Sequence, residues 1–128
     1  MSTTAPPDPQ ALLPLTVPVY TTLLALNDAE RHGYAIIMEI ERRTGGDVRL
    51  RTGTLYTAVQ RMIKQGLIEE SDRRPDPELD DERRRYYRIT EFGRQVAEAE
   101  ARRLEQMVSL ARDQRLLSSA GAGTADEG

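Results

Sequence analysis

Apolar residues return at helical spacing in several stretches of the chain, and the polar residues, prolines and glycines between them mark where elements end. The sharpest pattern runs from Arg51 to Glu69. Leu55, Ala58, Val59, Met62 and Ile63 lie three and four residues apart on one side of a helix and form a stripe that predicts burial. Tyr56, Thr57, Gln60, Arg61 and Lys64 repeat on the same period on the other side, giving hydrogen-bonding groups, one aromatic ring and two cations. Thr52 is placed to cap the first turn and Gly66 to supply a left-handed stop, so the spacing predicts a helix over 52–65. A polar face of this make-up is usually solvated surface; it also suits a nucleic-acid groove.

Upstream, Leu12, Leu15, Val19, Leu23 and Leu26 share one face while Leu13, Val17, Tyr20 and Leu24 share another. A helix that is apolar on most sides needs two partners. Pro14 and Pro18 suit a first turn and not an interior, which predicts a regular helix from about Pro18 to Asn27. After the polar turn from Asn27 to Arg31, Gly33 to Thr44 reads as a helix with Tyr34, Ile37, Met38 and Ile40 facing inward or nearly so, ended by Gly45 and Gly46. Val48 to Arg51 reads as a small strand. Ile68 to about Arg73 and Arg85 to Ile89 read as the strands of a hairpin, separated by a loop over 74–82 with two prolines and five acids. Those acids lack the alternating ligands and central glycine of a calcium loop and read as a solvated tip. From Thr90, a good cap, the composition predicts a helix from Glu91 to about Leu117 with a narrow seam of Ala97, Ala101, Leu104, Val108 and Ala111. A helix of that length spans about 40 Å, more than a small core can cover, so its far half must meet another surface.

The expected fold class is therefore mainly α with a small β-hairpin. A helix that feeds a hairpin is the arrangement of a winged helix-turn-helix, and here it is followed by a long C-terminal dimerisation helix. Four motifs narrow it further: His32-Gly33-Tyr34, Gly53-Thr54-Leu55-Tyr56, Gly66-Leu67-Ile68 and Arg83-Arg84-Arg85-Tyr86-Tyr87-Arg88-Ile89-Thr90. Their order and intervals resemble the PadR family of bacterial transcriptional regulators, over roughly residues 15 to 117. The resemblance implies a DNA-binding repressor that is a homodimer on a pseudo-palindromic operator, and it leaves room for a small-molecule effector between the first and last helices. The segment after the wing is short, a single helix and not an extended helical domain. The expected organisation is a disordered arm at 1–11, a DNA-binding domain at 12–90, the dimerisation helix at 91–117 and a disordered tail at 118–128.

On that reading Tyr56, Arg61, Lys64, Arg83, Arg84 and Arg85 position the protein on phosphates, and Thr52, Thr54, Thr57 and Gln60 face base edges. Tyr34 divides evenly between core packing and a phosphate contact, the latter being what the resemblance implies. Leu13, Val17, Tyr20 and Leu24 of the first helix and Leu104, Met107, Val108 and Leu110 of the last are the candidate dimer interface.

Composition tests this picture without overturning it. The net charge of -3 and pI near 5.3 count against a phosphate-rich partner. Distribution counts the other way, because residues 42–74 hold eight basic residues (Arg42, Arg43, Arg49, Arg51, Arg61, Lys64, Arg73, Arg74) against four acids (Asp47, Glu69, Glu70, Asp72), a local balance of +4. Acids at the loop tip argue against insertion of that tip into a groove. The absence of cysteine removes disulfides, thiolate metal sites and thiol nucleophiles, and with a single histidine, His32, and no phosphate loop no enzyme, metal or cofactor is expected. His32 reads as a cap. No stretch approaches the ~20 apolar residues of a membrane span and the first residues lack a basic signal start, so a soluble, cytoplasmic protein is expected. The alternative to DNA binding is the same fold kept as a protein-interaction module.

Overall fold

Three side chains start three of the four helices in the computed structural model, which describes residues 7–72 and 85–118. The Thr16 hydroxyl accepts from the Val19 amide at 3.3 Å, His32 Nδ1 from the Ala35 amide at 3.0 Å, and the Thr90 hydroxyl from the Gly93 amide at 2.9 Å. Each satisfies a first-turn donor that has no partner within its helix. The helices so begun are α1 (Val17–Asn27), α2 (Gly33–Arg43) and α4 (Glu91–Asp113). The remaining helix, α3 (Thr52–Lys64), starts at Arg51 with no side-chain cap, so Thr52 is its first residue and not, as expected, its cap.

The sheet has the order β1-β3-β2, with β1 (Arg31–His32), β2 (Ile68–Glu70) and β3 (Tyr86–Ile89), antiparallel throughout. The third strand expected at Val48 to Arg51 does not form. That segment is tied instead to the end of α2, where the Val48 amide donates to the Thr44 hydroxyl at 3.0 Å, and the free edge of β3 is taken by Arg31 and His32, opposite Tyr87 and Tyr86. On the other edge Glu69 faces Arg88, and the pair closes to 2.8 Å. Gly66, at φ 78°, turns α3 directly into β2, and the Leu67 amide reaches back to the Met62 carbonyl at 2.9 Å.

Leu23, Ile36, Leu55, Val59, Met62, Leu67, Ile68 and Val96 form the centre of the core, where α1, α2, α3, β2 and α4 meet. The two faces of α1 divide as the spacing predicts, with Val19, Leu23 and Leu26 buried while Val17 and Leu24 stay 56% and 42% exposed. On α2 the inward positions are Gly33, Ile36 and Ile40. Tyr34 and Met38, expected inward or nearly so, are exposed because at about 100° per residue they fall on the far side of the helix from that line. Residues 9–12, most of them in the span expected as an unstructured arm, make a short 3-10 turn that rests on α4. Asp8 caps it, Pro9 presets its first position, and Leu12 and Leu13 pack against the core, which supplies the burial that a free arm lacks.

α4 leaves the sheet along Gly93, Val96 and Glu100, an edge offset from the expected alanine seam, of which Ala101 is exposed. Gly93 is required there: a Cβ would stand 2.0 Å from the Leu67 carbonyl oxygen. Glu100 is 2% exposed and is held by Arg103 at 2.8 and 2.9 Å and by the Leu15 amide. The Arg103 hydrogen bonds keep its carboxyl below the usual range although burial pushes the other way. The helix is 23 residues and ends at Asp113, shorter than the expected run to Leu117. The tail expected at 118–128 lies, apart from Ser118, outside the described residues.

Candidate nucleic-acid interface

α3 turns its residues by about 100° each, which sorts them by direction. Leu55, Ala58, Val59 and Met62 point into the core and are buried. Gly53, Thr57, Gln60 and Lys64 lie opposite, with Thr54 and Arg61 on one flank, and all six are exposed. Tyr56 and Ile63 occupy the other flank. Ile63, expected within the buried stripe, is 42% exposed, on the flank of the helix and not on its buried line. Tyr56, expected among the phosphate contacts, is half-buried and packs on the start of α2: a Cβ added at Gly33 would lie 2.1 Å from its hydroxyl oxygen. The glycine of the His32-Gly33-Tyr34 motif is thus explained by the tyrosine of the Gly53-Thr54-Leu55-Tyr56 motif. Together they lock the start of α2 onto α3.

Charge distinguishes this face from the rest of the surface. α3 contains no acid, and Arg51, Arg61 and Lys64 make no ion pair among the described residues. Other cations nearby are engaged. Arg42 and Arg43 both bond Glu39, Arg43 also reaches Asp28 at 2.9 Å, and Arg49 lies 3.8 Å from Glu41. Hydrogen bonds from Arg42 and then Arg43 pull the Glu39 carboxyl down to about 2. Asp28 is likewise lowered, the hydrogen bonds and charges of Arg43 and Arg31 outweighing its desolvation. The pairs around Glu39 and Asp28 clamp α2 to the end of α1 and engage five charged groups, Asp28, Arg31, Glu39, Arg42 and Arg43.

Of the remaining expected contacts, Tyr34 is 62% exposed at the start of α2. Thr52 is exposed at the start of α3. Arg85 stands at the base of the hairpin 3.5 Å from Glu70. Arg83, Arg84 and the acidic tip lie outside the described residues. The structure therefore brings Thr54, Thr57, Gln60, Arg61 and Lys64 together on one open face and sets Tyr56 apart from them. Sequence reasoning passed over Arg51; the signal for it was a basic residue directly before a helix without acids. Among the described residues no group of three or more His, Cys, Asp or Glu could hold a metal ion, and no described helix is long and apolar enough to cross a membrane.

The model of the transcriptional regulator PadR-like family matches residues 22–99, from the middle of α1 to the first half of α4. The chain belongs to the PadR-like family of transcriptional regulators. A protein of Lysinibacillus sphaericus, itself uncharacterized, is 36% identical over 67 residues; the match covers 52% of this chain and 59% of the length of that relative. Among solved structures, a transcriptional regulator from Clostridium thermocellum aligns with TM-score 0.65 at 25% identity, over 75% of this chain and 87% of the other. A PadR family transcription regulator from Clostridium difficile aligns with TM-score 0.64 at 23% identity, over 80% and 100%. The Bacillus subtilis PadR, solved in complex with operator DNA, shares the fold with TM-score 0.57 at 18% identity, over 89% of this chain and 55% of its own. The winged-helix PadR fold expected from the four motifs is the one observed.

Proposed function

We propose that this PadR-like chain is a homodimeric repressor that binds a pseudo-palindromic DNA operator, with α3 of each protomer in the major groove. The observation that carries the reading is the open face of α3, where Arg61 and Lys64 lack acidic partners among the described residues and Thr54, Thr57 and Gln60 lie between or beside them. Cations left unpaired in a chain of net charge -3 fit a polyanion, and the threonine and glutamine side chains can donate to and accept from base edges. In this reading residues 12–90 are the DNA-binding unit, 91–117 the dimerisation helix, and the protein acts in the cytoplasm.

Support for the dimer comes from what one copy leaves bare. Val17 and Leu24 on α1 and Met107, Val108 and Leu110 on α4 are all at least 36% exposed, while Leu13, Tyr20 and Leu104 are partly covered. Between α1 and α4 runs an open groove of about 270 Å³ lined by Tyr20, the exposed Leu24, Asn27, Arg94, Ala97, Glu98 and Ala101.

Binding-site selection with the purified chain tests both parts. The expected result is an inverted repeat whose half-sites are centred one helical turn apart, about 34 to 36 Å, bound by a dimer in light scattering. Recovery of no enriched sequence sinks the DNA reading and favours a protein-interaction module; a single half-site bound by a monomer sinks the dimer.

A further inference from the structure

Arg51 stands where the fold has no use for it. It occupies the position before α3, its carbonyl accepts the Leu55 amide at 2.9 Å, and its side chain is exposed and caps nothing. That position favours Ser, Thr, Asp or Asn, and the positive end of the helix dipole disfavours a cation. Arg49, two residues earlier, is engaged with Glu41, whereas Arg51 makes no ion pair among the described residues. The turn that follows is slim. Thr52, Gly53 and Thr54 are exposed, and a Cβ at Gly53 would meet nothing within 4 Å. Neither packing nor a positive φ requires glycine at 53, although it weakens a helix; its effect is to let another molecule approach this end of α3 closely.

We propose that Arg51 reads sequence: its guanidinium donates two hydrogen bonds to O6 and N7 of a guanine at one position of each half-site. The inference rests on the DNA-binding reading above and adds a base to it. In helix-turn-helix docking the N-terminal residues of the recognition helix reach the base edges. Arg51 adjoins that end, and Arg61 and Lys64 occupy the last turn. The ten residues from Arg51 to Arg61 span about 15 Å, more than the ~12 Å width of the major groove, so Arg51 in the groove leaves Arg61 and Lys64 over a phosphate strand. The division of labour follows from side-chain chemistry. A planar fork of donors matches the two acceptors of guanine, while a phosphate accepts any cation.

The test uses the full-length chain and the operator that wild type selects. Its guanines are replaced singly by 7-deazaguanine, which lacks the N7 acceptor, and binding is measured for wild type, Arg51→Ala, Arg51→Lys and Arg61→Ala at several salt concentrations. At one position per half-site the replacement is expected to weaken wild type about tenfold and to leave Arg51→Ala nearly unaffected. Arg51→Ala binds all four bases alike at that position and keeps the wild-type salt slope, Arg51→Lys recovers little of the preference, and Arg61→Ala keeps the preference with a slope smaller by about one. The inference is overturned if Arg51→Ala retains every guanine preference, or if it weakens all sites equally with a reduced salt slope, which marks a phosphate contact. A wild type that selects no DNA removes the underlying reading and this one with it, and that outcome shows before any variant is compared.

Discussion

α3 and the far half of α4 are both amphipathic, and they leave opposite chemistries uncovered. α3 buries four apolar residues and presents threonines, a glutamine and cations that make no ion pair among the described residues. α4 is anchored through Gly93, Val96 and Glu100 in its first half, and beyond Arg103 it presents Met107, Val108 and Leu110, 48%, 36% and 56% exposed. A cation on a surface is stable in water and gains when an anion arrives, whereas bare apolar area is unfavourable at about 25 cal/mol per Å² until something covers it. The first surface can therefore stand empty and bind reversibly, and the second calls for a standing partner. In the function proposed above, one face takes an operator and the other a second copy of the chain.

The difference can be broken from either side. The largest effect is expected where α4 is fixed to the rest. Gly93→Ala forces a Cβ onto the Leu67 carbonyl, which is backbone and cannot step aside, and should cost about 3 kcal/mol of stability in urea unfolding. An unchanged midpoint would mean that the close approach of α4 to the wing base is not rigid. Next comes Leu110→Glu. Leu110 touches little in one copy, so the monomer should fold normally, yet in a dimer the change removes about 1.5 to 3 kcal/mol of burial per side and adds a charge. Light scattering should show monomers, with operator affinity reduced at least a hundredfold; a variant that still dimerises moves the interface elsewhere.

A smaller effect is expected on α3. Lys64→Ala and Arg61→Ala should each weaken DNA binding severalfold across all sequences and lower the salt slope by about one, with thermal stability unaltered. If neither affinity nor slope responds, the DNA face is not this one. The smallest effect concerns pH and belongs to α2, since α3 carries no acid to titrate. Arg42 and Arg43 hold Glu39 at about 2 against an ordinary 4.5, so its contribution to stability is complete above pH 4.5 and is lost as pH falls toward 2. The stability gap between wild type and Glu39→Gln should thus be open at pH 6 and narrow below pH 4; a gap that widens on acidification would show that the ion pairs do not stabilise the fold.

Much of this was readable before any coordinates. The two faces of α3, the glycine stop at Gly66 and the Thr90 cap are local signals, set by residues three or four apart, and they survive folding intact. What escaped was non-local or lay at the margin of a period. β1 is two residues whose partners, Tyr86 and Tyr87, lie more than fifty positions away, and nothing in Arg31-His32 announces a strand. Tyr56 and Ile63 fall on the flank of α3, where helical spacing alone cannot say whether a neighbour will cover them. α2 covers Tyr56 and leaves Ile63 42% exposed. Glu100 reads as a surface acid in a helix full of charges, and only the arrival of Leu15 and Arg103 makes it a buried anchor. Arg51 was missed for the reverse reason, being unremarked until its neighbours turned out to be paired.

The Thr90 hydroxyl donates to the Gly66 carbonyl at 2.5 Å and accepts from the Gly93 amide, so one side chain joins the exit of α3 to the start of α4. α4 thereby becomes a lever arm with the recognition helix bolted to its short end. Its 23 residues make an arm of about 35 Å, and turning it by about 5° about its far end swings the near end by about 3 Å. In the symmetric dimer proposed above the two swings add, so a small rotation at a contact between the last helices would change the span between the two copies of α3 by up to about 6 Å, close to two base-pair steps, with no change in α3 itself.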